Sequence, residues 1–147
     1  MVTYLSGDIF KSSAQVITNP INCVGAMGKG LALAYKKKYP KMYEDYKAKC
    51  QRGEVEITKP YLWENCETQI LNFPTKRHWR QDSRLSDIEA GLEYLAKNYA
   101  QLGISSLALP PLGCGLGGLD WIEVKNLINK YLEPIQDLDV FVYERFS

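Results

Sequence analysis

The sequence contains a single histidine, His78, and only scattered cysteines with no Cys-x-x-Cys spacing. A histidine metal cluster is therefore excluded, and neither a zinc site nor a disulfide framework is indicated. We predict that the protein binds no metal. Unpaired cysteines fit a reducing compartment; they are Cys23, Cys50, Cys66 and Cys114.

Long apolar runs, repeats and a bias of charge are also missing. No apolar run approaches the length of about 20 residues that a transmembrane helix needs, and the first residues do not have the pattern of a signal peptide. With a formal net charge of +1, binding to nucleic acid would have to come from a local basic patch. We expect a cytoplasmic protein without membrane contact, folded as one domain over residues 1–147.

Strand-like and helix-like stretches alternate along the chain. This alternation predicts an α/β fold whose largely parallel or mixed sheet is covered by helices on both faces. One helix is predicted to begin near Ser83 or Ser86 and to end before Gly103, and another to be capped by Asp120. Strands are predicted at residues 2–5, 14–18, 55–57, 61–63, 69–71, 106–109 and 140–143, and the other helices at 31–38 and from Pro40 to before Gly53.

Two glycine-rich loops each connect a predicted strand to a predicted helix. The second, Gly113 to Gly118, contains Gly-x-Gly-x-x-Gly, and the first runs from Gly25 to Gly30. Such loops can bring backbone N–H groups and a helix N-terminus close to phosphate. The second loop comes too late in the chain for a dinucleotide-binding domain, and a turn without a ligand is the alternative. Two such loops can converge on one ligand with two phosphates.

Polar residues follow the first two predicted strands. Asp8 is either a turn residue that bonds its own backbone or an acceptor for the exocyclic amine of a base. Asn19 and Asn22 suit hydrogen bonds to sugar hydroxyls, because an amide both donates and accepts, or they form an Asn-Pro turn. The run Lys36–Lys38 is either a solvated helix face or a ligand patch.

A cationic, aromatic segment, residues 72–80, begins where another predicted strand ends. Functional groups often lie at this position in an open α/β sheet. Its cations can bind phosphate, and His78 and Trp79 can stack on a base, although Trp79 can equally lie in the core. The cations are Lys76, Arg77 and Arg80.

Taken together, these motifs resemble those of a macrodomain, the ADP-ribose-binding α/β/α module. The residues that carry the resemblance are Gly7-Asp8-Ile9, Asn19-Pro-Ile-Asn22, the run from Cys23 to Ala32, and Leu112 to Gly118. The resemblance implies a three-layer α/β/α fold with a mixed, mostly parallel central sheet. It implies that Asp8 binds the adenine amine, that the Asn22 loop lies along the distal ribose, and that the second glycine loop holds the diphosphate. The residues expected to bind ADP-ribose are Asp8, Ile9, Asn19, Asn22, Gly25, Met27, Gly28, Gly30, Leu31, Thr75, Gly113, Cys114, Gly115, Leu116, Gly117 and Gly118.

Within the macrodomains, residues 72–80 resemble the DarG group, the antitoxins of the DarT/DarG pair. This resemblance implies an enzyme that removes ADP-ribose from thymidine in single-stranded DNA, with Lys76 as the catalytic residue. Related terminal ADP-ribose protein glycohydrolases pair such a lysine with an aspartate, whose place here is held by Gly117. Asp120 is better explained as a helix cap, and this departure favours the DNA-directed branch. The expected DNA-binding residues are Arg77, His78, Trp79 and Arg80.

The resemblance implies a DarT-type toxin and ADP-ribosylated single-stranded DNA as partners of a monomer. No cofactor is expected, since ADP-ribose is the ligand and product. An amine at residue 76 can act as acid or base, or attack an opened sugar. Two other functions remain open: a module that binds ADP-ribose without catalysis, and an esterase acting on ADP-ribosylated acidic side chains or acetylated ADP-ribose.

Overall fold

The computed structural model describes residues 1–145, and the side chains of residues 1–144. Six strands form one sheet in the order β1-β6-β5-β2-β4-β3, in which only β3 is antiparallel to its neighbour. The strands are β1 (Val2–Ser6), β2 (Val16–Asn22), β3 (Tyr61–Glu64), β4 (Gln69–Lys76), β5 (Ser106–Leu109) and β6 (Asp139–Arg145). The α-helices are α1 (Gly30–Lys38), α2 (Pro40–Gln51), α3 (Leu85–Asn98) and α4 (Trp121–Leu132).

Alternation along the strands places one core on each face of the sheet. Val16 and Leu71 face the helices α3 and α4, whereas their neighbours Ile17 and Ile70 face α1 and α2. Because side chains alternate with a period of two, every central strand buries both faces. The expected three-layer α/β/α fold with a mixed, mostly parallel sheet is confirmed.

The order of the strands creates a crevice between β2 and β5. The chain leaves β2 into α1 on one face and leaves β5 toward α4 on the other face. Such a reversal at the carboxyl ends of neighbouring strands is where ligands bind in open α/β sheets. The pairing of β2 with β5 stops at Ile17 and Ala108, so the ends of these strands separate.

Several predicted boundaries were wrong. Residues 55–57 form no strand: Val55 is buried, and a turn closed by Lys59 N–H donating to the Glu56 carbonyl at 3.1 Å follows it. β2 and β4 each run further than predicted, because their polar ends pair with each other as parallel strands. The Asn-Pro segment is therefore strand rather than turn.

Helix boundaries agree better with the sequence. Asp120 accepts a hydrogen bond from the Ile122 N–H at 3.1 Å and so caps α4, as predicted. α3 begins at Leu85 without a side-chain cap, so neither serine serves in this role. Within the described part of the chain, no helix is long and apolar enough to cross a membrane.

Candidate functional site

A cleft of about 1310 Å³ lies at the carboxyl ends of the central strands. Its walls come from the two glycine-rich loops, from the end of β4 with the segment that follows it, and from the turn after β1. Among the predicted ligand residues, the cleft is lined by Asp8, Asn22, Met27, Gly28, Gly30, Leu31, Thr75, Lys76, Trp79, Arg80, Gly113, Cys114, Gly115, Leu116 and Gly117.

Asn22 organises the first loop from within. Its Oδ1 accepts from the N–H groups of Val24 and Ala26 at 3.0 and 3.3 Å, and its Nδ2 donates to the Ala26 carbonyl at 2.8 Å. The buried Tyr46 hydroxyl lies 2.7 Å from the same Oδ1 and accepts from the Gly25 N–H at 3.2 Å. Burial raises the pKa of Tyr46, so this hydroxyl keeps its proton. Asn22 therefore uses much of its hydrogen-bonding capacity to shape the loop, with one amide N–H left over.

The first loop ends at the N-terminus of α1, which opens into the cleft. Helix N-termini present unsatisfied N–H groups and attract anions. Lys29, also in the cleft wall, makes no side-chain capping bond there. Gly30 has a φ of +59°. If Gly30 carried a Cβ, that atom would lie 3.2 Å from the side chain of Leu116 in the second loop. The two loops therefore meet across the cleft.

The second loop closes on itself and turns some N–H groups outward. The Leu119 N–H donates to the Gly113 carbonyl at 3.0 Å, and the Gly118 N–H donates to the Gly115 carbonyl at 3.1 Å. The N–H groups of Gly115 and Leu116 donate to no acceptor in the described part of the protein. Backbone N–H groups left free in a turn of this kind suit a phosphate.

The third wall carries two cationic side chains, Lys76 at the end of β4 and Arg80 in the segment that follows. Lys76 ends β4, and its Nζ lies 3.5 Å from the Trp79 carbonyl. The Arg80 guanidinium lies 4.6 Å above the ring of Trp79, whose side chain is half-exposed. The segment therefore offers an amine, a guanidinium and an accessible aromatic face at the mouth of the cleft.

Arg77 does not line the cleft. Its Nε and one terminal nitrogen each lie 3.1 Å from a carboxylate oxygen of Asp87, a buried residue on α3. Hydrogen bonding to this carboxylate raises the pKa of Arg77. A paired arginine of this kind anchors the segment to the helix. Its side chain is still about half exposed, and the expected contact of Arg77 with DNA stays a prediction.

Five further predicted residues do not line the cleft. Ile9 is a core residue with no exposed surface. Gly25, the first residue of the first loop, lies against α2, and a Cβ on it would be 3.7 Å from the Cβ of Cys50. Asn19 is fully buried, and its amide donates to Asn72 at 3.0 Å across the β2–β4 pair. The last two are His78, whose Nδ1 accepts from the Arg80 N–H at 3.1 Å, and Gly118, which closes the second turn.

The first turn shows Asp8 as a turn residue and leaves its predicted contact with a base open. One carboxylate oxygen accepts from the Phe10 N–H at 2.9 Å, as expected of a turn residue. The side chain also lines the cleft, and its second oxygen has no hydrogen-bond partner in residues 1–144. This oxygen is available to an amine donor.

The cleft also contains residues that sequence reasoning missed. Trp121 and Glu144 close one end, joined by a hydrogen bond of 3.3 Å from the indole nitrogen. Asp82 belongs to the segment after β4 and lies next to Gly118 at the end of the second loop. A charged residue just before a helix is usually solvated, so no local signal distinguished Asp82.

Two chemical properties limit the reactions that this cleft can perform. Burial raises the pKa of Cys114 to about 11, so its thiol stays protonated near neutral pH and is a poor nucleophile. Among the described residues, no group of three or more His, Cys, Asp or Glu side chains is placed to hold a metal ion. The amine of Lys76, in the cleft wall, remains the predicted group for proton transfer or nucleophilic attack.

Comparison with known proteins agrees with this geometry. The model of the Macro domain family matches residues 18–128. The DNA ADP-ribosyl glycohydrolase of Mycobacterium tuberculosis is 43% identical over 97% of this chain, which spans 42% of the length of that relative. The structure of the macrodomain of M. tuberculosis DarG covers 97% of each chain with a TM-score of 0.94 and 43% identity. The structure of Thermosipho africanus DarTG in complex with ADP-ribose covers 97% of this chain and 41% of its own, with a TM-score of 0.91 and 39% identity.

Proposed function

This chain belongs to the Macro domain family, and on that basis we propose that it removes ADP-ribose from thymidine bases of single-stranded DNA. The observation that carries the proposal is the amine of Lys76 in the wall of a cleft that also contains two glycine-rich loops. The name of the M. tuberculosis relative supports a DNA ADP-ribosyl glycohydrolase. Because this chain spans only 42% of that relative's length, its own activity has to be measured.

The loops support a placement of ADP-ribose in the cleft. Its diphosphate would accept hydrogen bonds from the free N–H groups of Gly115 and Leu116 and lie close to the N-terminus of α1. The adenine amine would donate to the free oxygen of Asp8. The distal ribose would lie against the first loop, whose shape Asn22 maintains. The anomeric carbon of that ribose would then face Lys76.

Lys76 would then act on the leaving base. Cleavage of the bond between the anomeric carbon and a thymine ring nitrogen leaves negative charge on the base and positive charge on the sugar. An ammonium group can stabilise that negative charge and donate a proton to the nitrogen as the bond breaks. Fixing the diphosphate in the loops holds the sugar in position, which can lower a barrier by about 7–11 kcal/mol.

The direct test uses the purified chain and two substrates. We expect release of free ADP-ribose, measured by mass spectrometry, from an oligonucleotide modified on thymidine but not from a peptide modified on glutamate. Release from the peptide alone would indicate an esterase. Binding of ADP-ribose by calorimetry without release from either substrate would indicate a module that only binds it, and the absence of binding would exclude the placement as well.

Arg80 and Trp79 provide the DNA contacts of this proposal. A cation that binds a phosphate displaces counterions, so affinity falls as salt rises. We expect Arg80→Ala to weaken binding of an unmodified single-stranded oligonucleotide and to reduce the slope of log affinity against log salt by about 1. Fluorescence anisotropy at several salt concentrations measures both quantities.

Lys97→Ala is the matched control for that measurement. Lys97 lies on α3 and pairs with Glu93 at 3.1 Å, away from the cleft. Its removal should leave the slope unchanged. An Arg80→Ala variant with the slope of the original chain would exclude a phosphate contact by this guanidinium.

The partners and the environment complete the proposal. The T. africanus structure contains DarTG, which supports a DarT-type toxin as the protein that modifies the DNA. We also propose that the protein acts as a monomer, as the resemblance to macrodomains implies. The four cysteines are free, in keeping with a reducing cytoplasm.

A further inference from the structure

Three carboxylates line the cleft, and two of them already have partners. Asp8 accepts from the Phe10 N–H, and Glu144 lies 3.2 Å from the Lys125 ammonium and 3.3 Å from the Trp121 indole nitrogen. The third, Asp82, is exposed and makes no hydrogen bond or ion pair with any described side chain. Among the described residues, Asp82 is therefore the carboxylate of the cleft wall that has no hydrogen-bond partner on either oxygen.

The backbone next to Asp82 is fixed against the second glycine loop. The Ser83 N–H donates to the Gly117 carbonyl at 2.9 Å, and the Ser83 side chain is buried against Gly113 and Gly117. Asp82 itself lies close to Gly118: a Cβ on Gly118 would be 3.6 Å from both the Cγ and the Oδ1 of Asp82. The carboxylate therefore lies beside the loop that would hold the diphosphate.

Asp82 and Lys76 belong to one segment but do not neutralise each other. No ion pair of 4.0 Å or less joins them, although both line the cleft. Because no ion pair neutralises it, the Asp82 carboxylate can act as a base toward water, the role that a carboxylate has in inverting hydrolysis of glycosidic bonds. The cleft thus has an unpaired carboxylate beside the second glycine loop and an ammonium group at the end of β4.

We propose that Asp82 is the general base of the reaction, a role that rests on the proposed function. Its carboxylate takes a proton from water as the water oxygen bonds to the anomeric carbon of the distal ribose. The bond from that carbon to the thymine nitrogen breaks, its electron pair goes to the nitrogen, and Lys76 gives that nitrogen a proton. The proton on Asp82 then returns to Lys76 through solvent, and free ADP-ribose and unmodified thymidine leave.

The test compares Asp82→Asn with the original chain under single-turnover conditions. Asparagine keeps the size of the side chain but cannot accept a proton as a base. We expect the rate of ADP-ribose release to fall about 100-fold to 10,000-fold, the range typical of a lost general base. The affinity for free ADP-ribose, measured by calorimetry, should change less than about twofold, and Asp82→Glu should recover part of the rate because it restores a carboxylate.

Asp139→Asn is the matched control, since Asp139 is exposed at the amino end of β6, whereas the cleft lies at the carboxyl ends of the strands. It should retain the full rate. A rate for Asp82→Asn within about threefold of that control would overturn the role of Asp82. An original chain that releases nothing from modified thymidine would instead reject the proposed function, and the role of Asp82 with it.

Discussion

Lys76→Ala is expected to abolish release of ADP-ribose from a thymidine-modified oligonucleotide while free ADP-ribose still binds. The loss should reach about 1000-fold or more, because the variant lacks both the proton donor and the positive charge that stabilises the departing base. The binding loops are built from other residues, so calorimetry with free ADP-ribose should give nearly the same affinity. Single-turnover release measured alongside that titration separates the chemistry from binding.

A charge-retaining variant refines this experiment. Lys76→Arg keeps a cation at the mouth of the cleft, but a guanidinium does not give up its proton in a protein. We expect binding of DNA to be preserved and release to stay low. Turnover by Lys76→Ala at the original rate would remove Lys76 from the mechanism, whatever the other variants show.

The second large effect is expected at Gly117, where Gly117→Ala should weaken ADP-ribose binding at least about 10-fold. A Cβ at this residue would overlap the Ser83 hydroxyl oxygen and would lie 3.1 Å from the Ser83 Cβ, so the loop has to move away from the serine. Gly117 itself does not have a positive φ, so the obstacle is the serine side chain and not the backbone conformation. The glycine loop must shift, and its free N–H groups lose their alignment.

Removing the obstacle should restore binding. We expect the double variant Ser83→Gly with Gly117→Ala to recover most of the affinity, while Ser83→Gly alone binds almost normally because its backbone N–H to the Gly117 carbonyl remains. Calorimetry on the four proteins forms a double-mutant cycle. Simple addition of the two effects would show that the side chains of these residues do not interact. Thermal denaturation of each variant confirms that it is folded.

Much of the fold could be predicted because its signals are local. Apolar periodicity identifies α3, and the Asp120 cap identifies the start of α4, from neighbouring residues alone. The two glycine loops and the alternation of strands with helices likewise indicate an α/β sheet with a crevice at the strand ends. Lys76 is a candidate from its place after the predicted strand at residues 69–71 and from the resemblance to macrodomains, and in the structure it lines the cleft.

The orientation of individual polar side chains could not be predicted in the same way. Asn19 and Asn22 belong to one short motif, yet Asn19 pairs with Asn72 inside the sheet while Asn22 shapes the loop at the cleft. Which of them faces a ligand depends on the register of β2 with β4, and register is a long-range property. Arg77 similarly has cationic neighbours in sequence but a buried partner, Asp87, on α3.

The sequence by itself therefore determined the order of the elements, the two N–H-rich loops and the lysine between them, because helix, strand and turn preferences depend on residues close together in the chain. Only the tertiary structure decided which charged groups are paired and which are free. Arg77 is occupied by Asp87, whereas Asp82 remains without a partner in the cleft wall. The physical reason is that a hydrogen bond or ion pair requires two groups within about 3–4 Å, and the crossovers of the chain determine which distant residues come that close.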